Sequence, residues 1–461
     1  MKKSIIFTII FILVAIPLFS LTSYAEYYNT HLEDKVKAEA YLLVNTDTGA
    51  VVFSHNADKQ LQCASLVKIA TMAVVADNCE DLDEIVTVTE SSLAPLKNVS
   101  SASSNLKVGE QISVRNLLYC AMVTNSNDVC NVLAEYIGGS IDNFIVMMND
   151  FAKSLGCKNT NFKNAHGLDE EGAYTSANDM YLITKYAMQN SVLADMATTV
   201  KYTIPATNMS DERILNTRCD IIKSGSRYYY EYAKGFKVGQ TDGAKRCAAI
   251  TATKNAYTYI AIVLGSPNEC TDNCGYPDNT ALYSARRMLK WAFNNLRMTT
   301  IAETTDMITT AHVSLSTQTD IVHLVPEKQL QSVLLSSVDK SSFEYIIDVQ
   351  ENITAPVSKG QVLGTVKIRY ADSVIASVNL VAAEDISRSG LMYAGSILKK
   401  VVTSPVFIII AVVVVIAILV YVFIVYSKHR KINKDSRKRL REIKEQHYTD
   451  DANLNDVYNN E

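Results

Sequence analysis

Residues 405–426 form an apolar run without one charged side chain, and Lys428, Arg430, Lys431, Lys434, Arg437, Lys438, Arg439 and Arg441 follow at once. Such a run is long enough to cross the hydrocarbon core of a bilayer. Positive residues stay on the cytoplasmic side, so the chain ahead of the run is expected to face outward. The other end agrees. Lys2-Lys3 precede an apolar stretch from Ile5 to Leu21, and Ser23-Tyr24-Ala25 gives a small-x-small cleavage pattern. This reads as a secretory signal rather than an uncleaved anchor, with the mature chain starting near Glu26. The expected product is an exported protein held in the cell membrane by one C-terminal span, with a short cytoplasmic tail.

Composition excludes little beyond that. The formal net charge of −4 reflects a more acidic outer part that is partly cancelled by a basic tail. The basic patch is juxtamembrane and lacks interleaved aromatics, so no nucleic-acid role is expected. The nine cysteines all lie between Cys63 and Cys274, and an odd count leaves at least one unpaired within the chain. Cys270 and Cys274 flank a turn-like segment suited to a bridge. Cys120 and Cys130 fall in an apolar helical stretch and read as buried thiols; Cys63 reads as core filling. No cysteine–histidine spacing suits zinc, and neither a metal nor a cofactor is expected.

About 370 exported residues exceed one ordinary core. Tyr41-Leu42-Leu43-Val44 and Val51-Val52-Phe53, joined through Asp47-Thr48-Gly49, predict a β-hairpin. Residues 112–137 read as dominantly helical, 257–264 as a buried strand stopped by Gly265, and 280–296 as a closing helix. That order suits an α/β domain with helices against an antiparallel sheet. Short β-branched runs from about Thr305 onward predict a small all-β domain. The expected plan is a signal peptide (1–25), a catalytic α/β domain (35–298) and a β-rich domain (305–385). A linker (386–404), a transmembrane helix (405–426) and a cytoplasmic tail (427–461) complete it.

Ser65-Leu66-Val67-Lys68 carries the chemistry. Residues at i and i+3 share a helix face, so Lys68 can reach the hydroxyl of Ser65. A lysine desolvated there can take the serine proton and make an acyl-enzyme possible. The apolar run Ile69–Val75 would bury this helix. The spacing alone is weak, since Ser104…Lys107, Ser337…Lys340 and Ser396…Lys399 share it. What singles out Ser65 is its company downstream: Thr124-Asn125-Ser126-Asn127-Asp128, then Lys237-Val238-Gly239.

This ordered set resembles the penicillin-recognising serine enzymes, whose motifs are Ser-x-x-Lys, Ser-x-Asn and Lys-Thr-Gly. Within them it most resembles the D-alanyl-D-alanine carboxypeptidases, the low-molecular-weight penicillin-binding proteins. Asp47-Thr48-Gly49, Leu117-Leu118-Tyr119, Asn164-Ala165-His166-Gly167-Leu168 and Tyr228-Tyr229-Tyr230 add to the likeness. The resemblance extends through Leu324-Val325-Pro326 and Ala355-Pro356-Val357. It implies the serine β-lactamase/penicillin-binding-protein fold and an attack by Ser65 on the bond between two D-alanines of a peptidoglycan stem peptide, with Lys68 as base. It implies β-lactams as covalent inhibitors. It gives Asn127 the substrate backbone and the orientation of Lys68, and Lys237 the terminal carboxylate. It gives Val238, Gly239 and Gln240 the substrate-binding strand, and the N–H groups of Ser65 and Gln240 the oxyanion hole. His166 is expected to be a structural hydrogen-bonding residue.

Two hydroxyls of the family pattern are missing. Asn125 stands where Ser-x-Asn has its serine, and Val238 replaces the threonine of Lys-Thr-Gly; Lys245-Arg246 falls where a glycine is usual. Each lost hydrogen bond puts about ten- to a hundredfold in rate or binding at stake. Two readings follow. Asn125 takes over part of the serine's role in a working carboxypeptidase, or the chain is a catalytically impaired pseudoenzyme that binds peptidoglycan peptides or regulates cell-wall synthesis.

Overall fold

The computed structural model describes residues 36–268, 278–336, 338, 340–370 and 373–457. The signal segment, its cleavage pattern and the Cys270/Cys274 pair lie outside them. The chain divides into two compact units. One takes in the chain up to Asp306 with Pro326–Asp348 and Thr365–Asn379; the other comprises Met307–Val325, Val349–Gly364 and the chain from Leu380 onward.

In the first unit, β1 (Ala40–Asn45) and β2 (Val51–His55) form the hairpin expected around Asp47-Thr48-Gly49. Two short ribbons pair β3 (Ile85–Thr87) with β4 (Gln111–Ser113), and β5 (Lys201–Ile204) with β6 (Arg213–Asn216). A meander follows: β7 (Ala233–Thr241), β8 (Lys245–Lys254) and β9 (Tyr257–Ser266). These join the hairpin in one antiparallel sheet of order β2-β1-β9-β8-β7. Sequence order is broken because β9 pairs with β1, which puts β7 at an edge with one side of its backbone free. Residues 259–264 of β9 are all fully buried, as a strand covered on both faces requires. Beyond them lie β10 (Leu296–Ala302), β11 (Thr309–Ser314), β12 (Ile321–Pro326), β13 (Leu330–Leu335), β14 (Glu344–Val349), β15 (Ile353–Thr354), β16 (Val362–Tyr370) and β17 (Ser373–Ala382). In the first unit β10 pairs antiparallel with β13; in the second, β11 pairs antiparallel with β12 and parallel with β15. This is the expected β-rich C-terminal part.

The helices are α1 (Val67–Asn78), α2 (Glu90–Leu93), α3 (Val114–Tyr119), α4 (Asp128–Gly138), α5 (Ile141–Ser154), α6 (Ala177–Gln189), α7 (Ser191–Thr198), α8 (Thr280–Asn295), α9 (Gly390–Val402) and α10 (Pro405–Val457). Every residue from Val67 to Val75 is buried, because α1 runs through the core against α4, α5 and α6; α6 and α8 both pack on β9. The helical stretch expected over 112–137 is interrupted. After α3 the chain widens into a π-turn over Cys120–Thr124, and Asn125 stops it in the left-handed region at φ 61° and ψ 26°. Asparagine tolerates that conformation better than most residues, so the break sits where the sequence allows it. Toward the C-terminus, the segment expected as a linker contains α9. Among the described residues α10 alone is long and apolar enough to cross a membrane, and it continues as helix through the basic segment to Val457.

Candidate active site

Ser65 lies in a 3-10 turn, Ala64–Leu66, that leads into α1. The turn is tight: Ala64 has φ +49°, and glycines close on it from two sides. A Cβ on Gly239 would sit 2.5 Å from the Ser65 nitrogen, and one on Gly167 would sit 2.0 Å from the Ala64 carbonyl oxygen. Neither position accommodates a side chain, so β7 and the His166-Gly167-Leu168 loop hold the Ser65 turn between bare backbones.

One turn on, the Lys68 amine reaches within 3.0 Å of Ser65 Oγ. It also donates to Oδ1 of Asn127 at 2.7 Å and to the His166 carbonyl at 2.5 Å. Lys68 is fully buried, and that burial pulls its pKa down to about 8 because desolvation disfavours the ammonium. A neutral amine has two hydrogens and one lone pair. With the hydrogens on the two carbonyl oxygens, the lone pair is left for the hydroxyl proton of Ser65. The His166 imidazole is buried and lowered to about 3, by desolvation and then by the Lys68 charge. It is therefore neutral, and its Nδ1 accepts from the Leu168 N–H, a structural role.

The second wall of the site is the broken helix. Asn127 opens α4, and its N–H is held by the Ala102 carbonyl at 2.8 Å. The adjacent Asp128 carboxylate accepts from Ser103 Oγ and from the N–H groups of Ser104 and Leu106, which fastens the 103–106 segment beside the motif. The remaining hydroxyls of the motif loop are occupied. Thr124 donates to the Cys120 carbonyl and pairs with Ser126, which pairs in turn with Ser104.

β7 forms the third wall. The Lys237 amine, 1% exposed, donates to the carbonyls of Ala121 and Met122 in the π-turn. Burial and then the neighbouring Lys68 charge hold its pKa well below the usual lysine range. Asn125 Nδ2 donates to the Val238 carbonyl at 2.9 Å. That bond shows which way the strand edge faces. Backbone groups of alternate residues share an edge, so if the Val238 carbonyl opens toward Asn125, the N–H of Gln240 opens toward the same cleft. Below the strand end, the Asp169 carboxylate accepts from Thr241 Oγ1 and the Gly243 N–H, tying the His166 loop to the β7–β8 turn. A groove of about 710 Å³ borders the His166 loop on its side toward α4 and α5, its lining including His166, Leu168, Asn131, Glu135, Leu96 and Ile145.

Ser65, Lys68, Asn127, Asn125, Lys237 and Gly239 thus meet around one cleft, although their numbers span most of the first unit. A family model described as D-alanyl-D-alanine carboxypeptidase matches residues 27–268. The chain belongs to the D-alanyl-D-alanine carboxypeptidase family. A second model, penicillin-binding protein 5, C-terminal domain, matches residues 298–388. The chain is 28% identical to the D-alanyl-D-alanine carboxypeptidase DacF of Bacillus subtilis over 359 residues, 77% of this chain and 87% of the relative. It is also 28% identical to DacC of Escherichia coli over 362 residues, 77% and 86% of the two chains. Its fold matches penicillin binding protein 5 from Haemophilus influenzae with TM-score 0.63 and 25% identity, covering 77% of this chain and 98% of that one.

Within this family frame, several parts of the cleft had no motif to announce them. The carbonyls of Ala121 and Met122 are backbone groups freed by a local change of helix pitch, which residue type does not reveal. Asp169 and Thr241 are linked only because two loops meet. His166-Gly167-Leu168 stood out in the sequence, but the contact to Lys68 comes from the His166 carbonyl rather than its ring. Among the described residues seven cysteines are free, and Cys63, Cys120 and Cys130 are buried, as their apolar neighbourhoods predicted.

Proposed function

We propose that the protein is an active, membrane-anchored serine D-Ala-D-Ala carboxypeptidase that removes the terminal D-alanine from peptidoglycan stem peptides. The observation that carries this reading is the Ser65–Lys68 contact: a hydroxyl 3.0 Å from a buried amine whose pKa is lowered to about 8. In the proposed reaction Ser65 Oγ attacks the penultimate D-alanine carbonyl while Lys68 takes its proton. The N–H groups of Ser65 and Gln240 receive the oxyanion. The peptide lies along the free edge of β7, at Val238 and Gln240, with Asn127 facing it. Expulsion of D-alanine leaves an acyl-enzyme that water hydrolyses. The lysine- and arginine-rich flank after residue 426 orients the span, so the catalytic unit faces outward, where the stem peptides are.

Intact mass of the protein after incubation with benzylpenicillin, beside Ser65→Ala, tests this. A covalent adduct on the native chain alone, with D-alanine released from a pentapeptide, is expected. A folded protein that forms no adduct would shift the reading to a peptidoglycan-binding pseudoenzyme in which Asn125 and Val238 have removed turnover.

A further inference from the structure

The missing serine of the second motif raises the question of how the leaving nitrogen obtains its proton. Expelling an amine from a tetrahedral intermediate requires protonation of that nitrogen. The structure leaves few donors. Asn125 carries a carboxamide, which exchanges no proton in the working pH range, and its Nδ2 is already latched to the Val238 carbonyl at 2.9 Å. Ser126 is fully buried; its hydroxyl pairs with Ser104 at 2.7 Å and Thr124 at 2.8 Å, and Thr124 donates to the Cys120 carbonyl. This hydroxyl chain is closed on itself and on backbone. The Lys237 amine is directed at the Ala121 and Met122 carbonyls. The His166 ring accepts from its own loop. Around the Lys68 amine, two contacts are carbonyl oxygens and the third is Ser65.

We infer that Lys68 is the sole proton carrier of acylation, taking the proton from Ser65 Oγ and delivering it directly to the leaving nitrogen, while Asn125 acts as a positioning residue that latches the motif loop to β7. This rests on the proposed function. The balance is simple. The Ser65 Oγ–carbonyl carbon bond forms as the hydroxyl proton moves to the Lys68 amine, giving an oxyanion and an ammonium. The carbon–nitrogen bond then breaks as the ammonium returns that proton to the departing amine, so Lys68 ends neutral and no co-reactant is needed. Direct delivery without a relaying hydroxyl slows amide cleavage selectively. A leaving group that departs as a thiolate needs no proton and escapes the limitation.

The test uses the full-length protein in detergent with a matched pair of substrates, an N-acyl-D-Ala-D-Ala peptide and the corresponding N-acyl-D-alanyl thioester, and reads kcat/KM for each. Asn125→Ser, which restores a relaying hydroxyl, is expected to raise the peptide-to-thioester ratio at least tenfold. Asn125→Ala, which removes the latch and adds no hydroxyl, is expected to lower both rates by similar factors and leave the ratio at its native value. Melting temperatures of both variants show whether each has folded. An unchanged ratio in Asn125→Ser, or a fallen ratio in Asn125→Ala, overturns the inference while acylation by thioester still stands. If the native protein is not acylated by thioester at all, the proposed carboxypeptidase activity falls, and this inference with it.

Discussion

Asn125 Nδ2 donates to the carbonyl of Val238 across 2.9 Å, so the two positions where the family's hydroxyls are missing are bonded to each other. The departures are coupled in space although 113 residues separate them. A serine at 125 is too short to make this bond, and the Val238 side chain has no part in it. What the motif loop has lost in proton-exchanging groups it has gained in a fixed distance to β7, a bond of ordinary strength worth about 1 kcal/mol.

Acylation should follow the charge of Lys68. In the proposed mechanism the neutral amine is the base, and its pKa is lowered to about 8. The acylation rate constant for benzylpenicillin is therefore expected to rise about tenfold per pH unit well below 8 and to level off above it. Lys68→Ala should reduce acylation by at least about 100-fold at every pH. A flat profile between pH 6 and 9 in stopped-flow or mass kinetics would count against Lys68 as base.

The same shift has a stability consequence with a defined sign. The folded protein holds Lys68 at about 8, against an unfolded value near 10.4. Between those values the unfolded chain binds more protons, so this group's contribution to stability rises with pH through that window. Lys68→Met should flatten that part of the curve. Urea unfolding of both proteins at pH 8 and pH 10 compares the two slopes.

Lys237 is expected to matter for folding as well as for substrate. Replacing it with alanine leaves the Ala121 and Met122 carbonyls without their donor and opens a cavity beside a fully buried position. A loss of roughly 2–5 kcal/mol follows from those two effects. The unfolding midpoint of Lys237→Ala measures it, and a loss below about 1 kcal/mol would show that the π-turn is held by something else.

Gly239→Ala places a Cβ 2.5 Å from the Ser65 nitrogen. The Ser65 turn must move, and a displacement of a reacting group near 1 Å costs on the order of 100-fold in rate. We expect acylation to collapse while the melting temperature falls only modestly, because Ser65 lies at the cleft surface. Equal acylation rates in the variant and the native protein would mean that the strand edge yields instead.

Removing one partner of the Glu110–Arg213 pair should be costly. Glu110 is fully buried and also accepts from Thr207 Oγ1 and the Lys107 N–H. Arg213 in turn donates to the Ser104 carbonyl, next to the segment held by Asp128. Arg213→Ala leaves a buried carboxylate without its cation, and a destabilisation of about 3–5 kcal/mol is expected. Denaturant titration reads it directly, and a cost under 1 kcal/mol would mean that water reaches Glu110.

The elements legible in advance were those with a local physical signature. The β1–β2 hairpin follows from a turn triplet between apolar runs, α1 from an unbroken apolar stretch, and α10 from charge-free length. The Ser65–Lys68 contact is a matter of helix periodicity. Asn125 was legible as a departure from a pattern, but its partner was not. Nothing near residue 125 in the sequence points to Val238, whose carbonyl is available only because β9 pairs with β1 and leaves β7 at an edge. The interruption at Cys120–Thr124 was equally hidden, since those residues are compatible with continuous helix.

The sequence by itself determined the order of the parts: a serine and a lysine one turn apart, an asparagine motif, a lysine-glycine strand, a β-rich region and an apolar span. Local propensity and hydrophobic patterning act over a few residues, and these features are of that size. Only the tertiary structure decided that Lys68 also donates to the His166 carbonyl, that Lys237 reaches the Ala121 and Met122 carbonyls, and that Asn125 closes on Val238. Those outcomes depend on burial and on backbone groups brought together over long separations, which residue type and spacing do not encode.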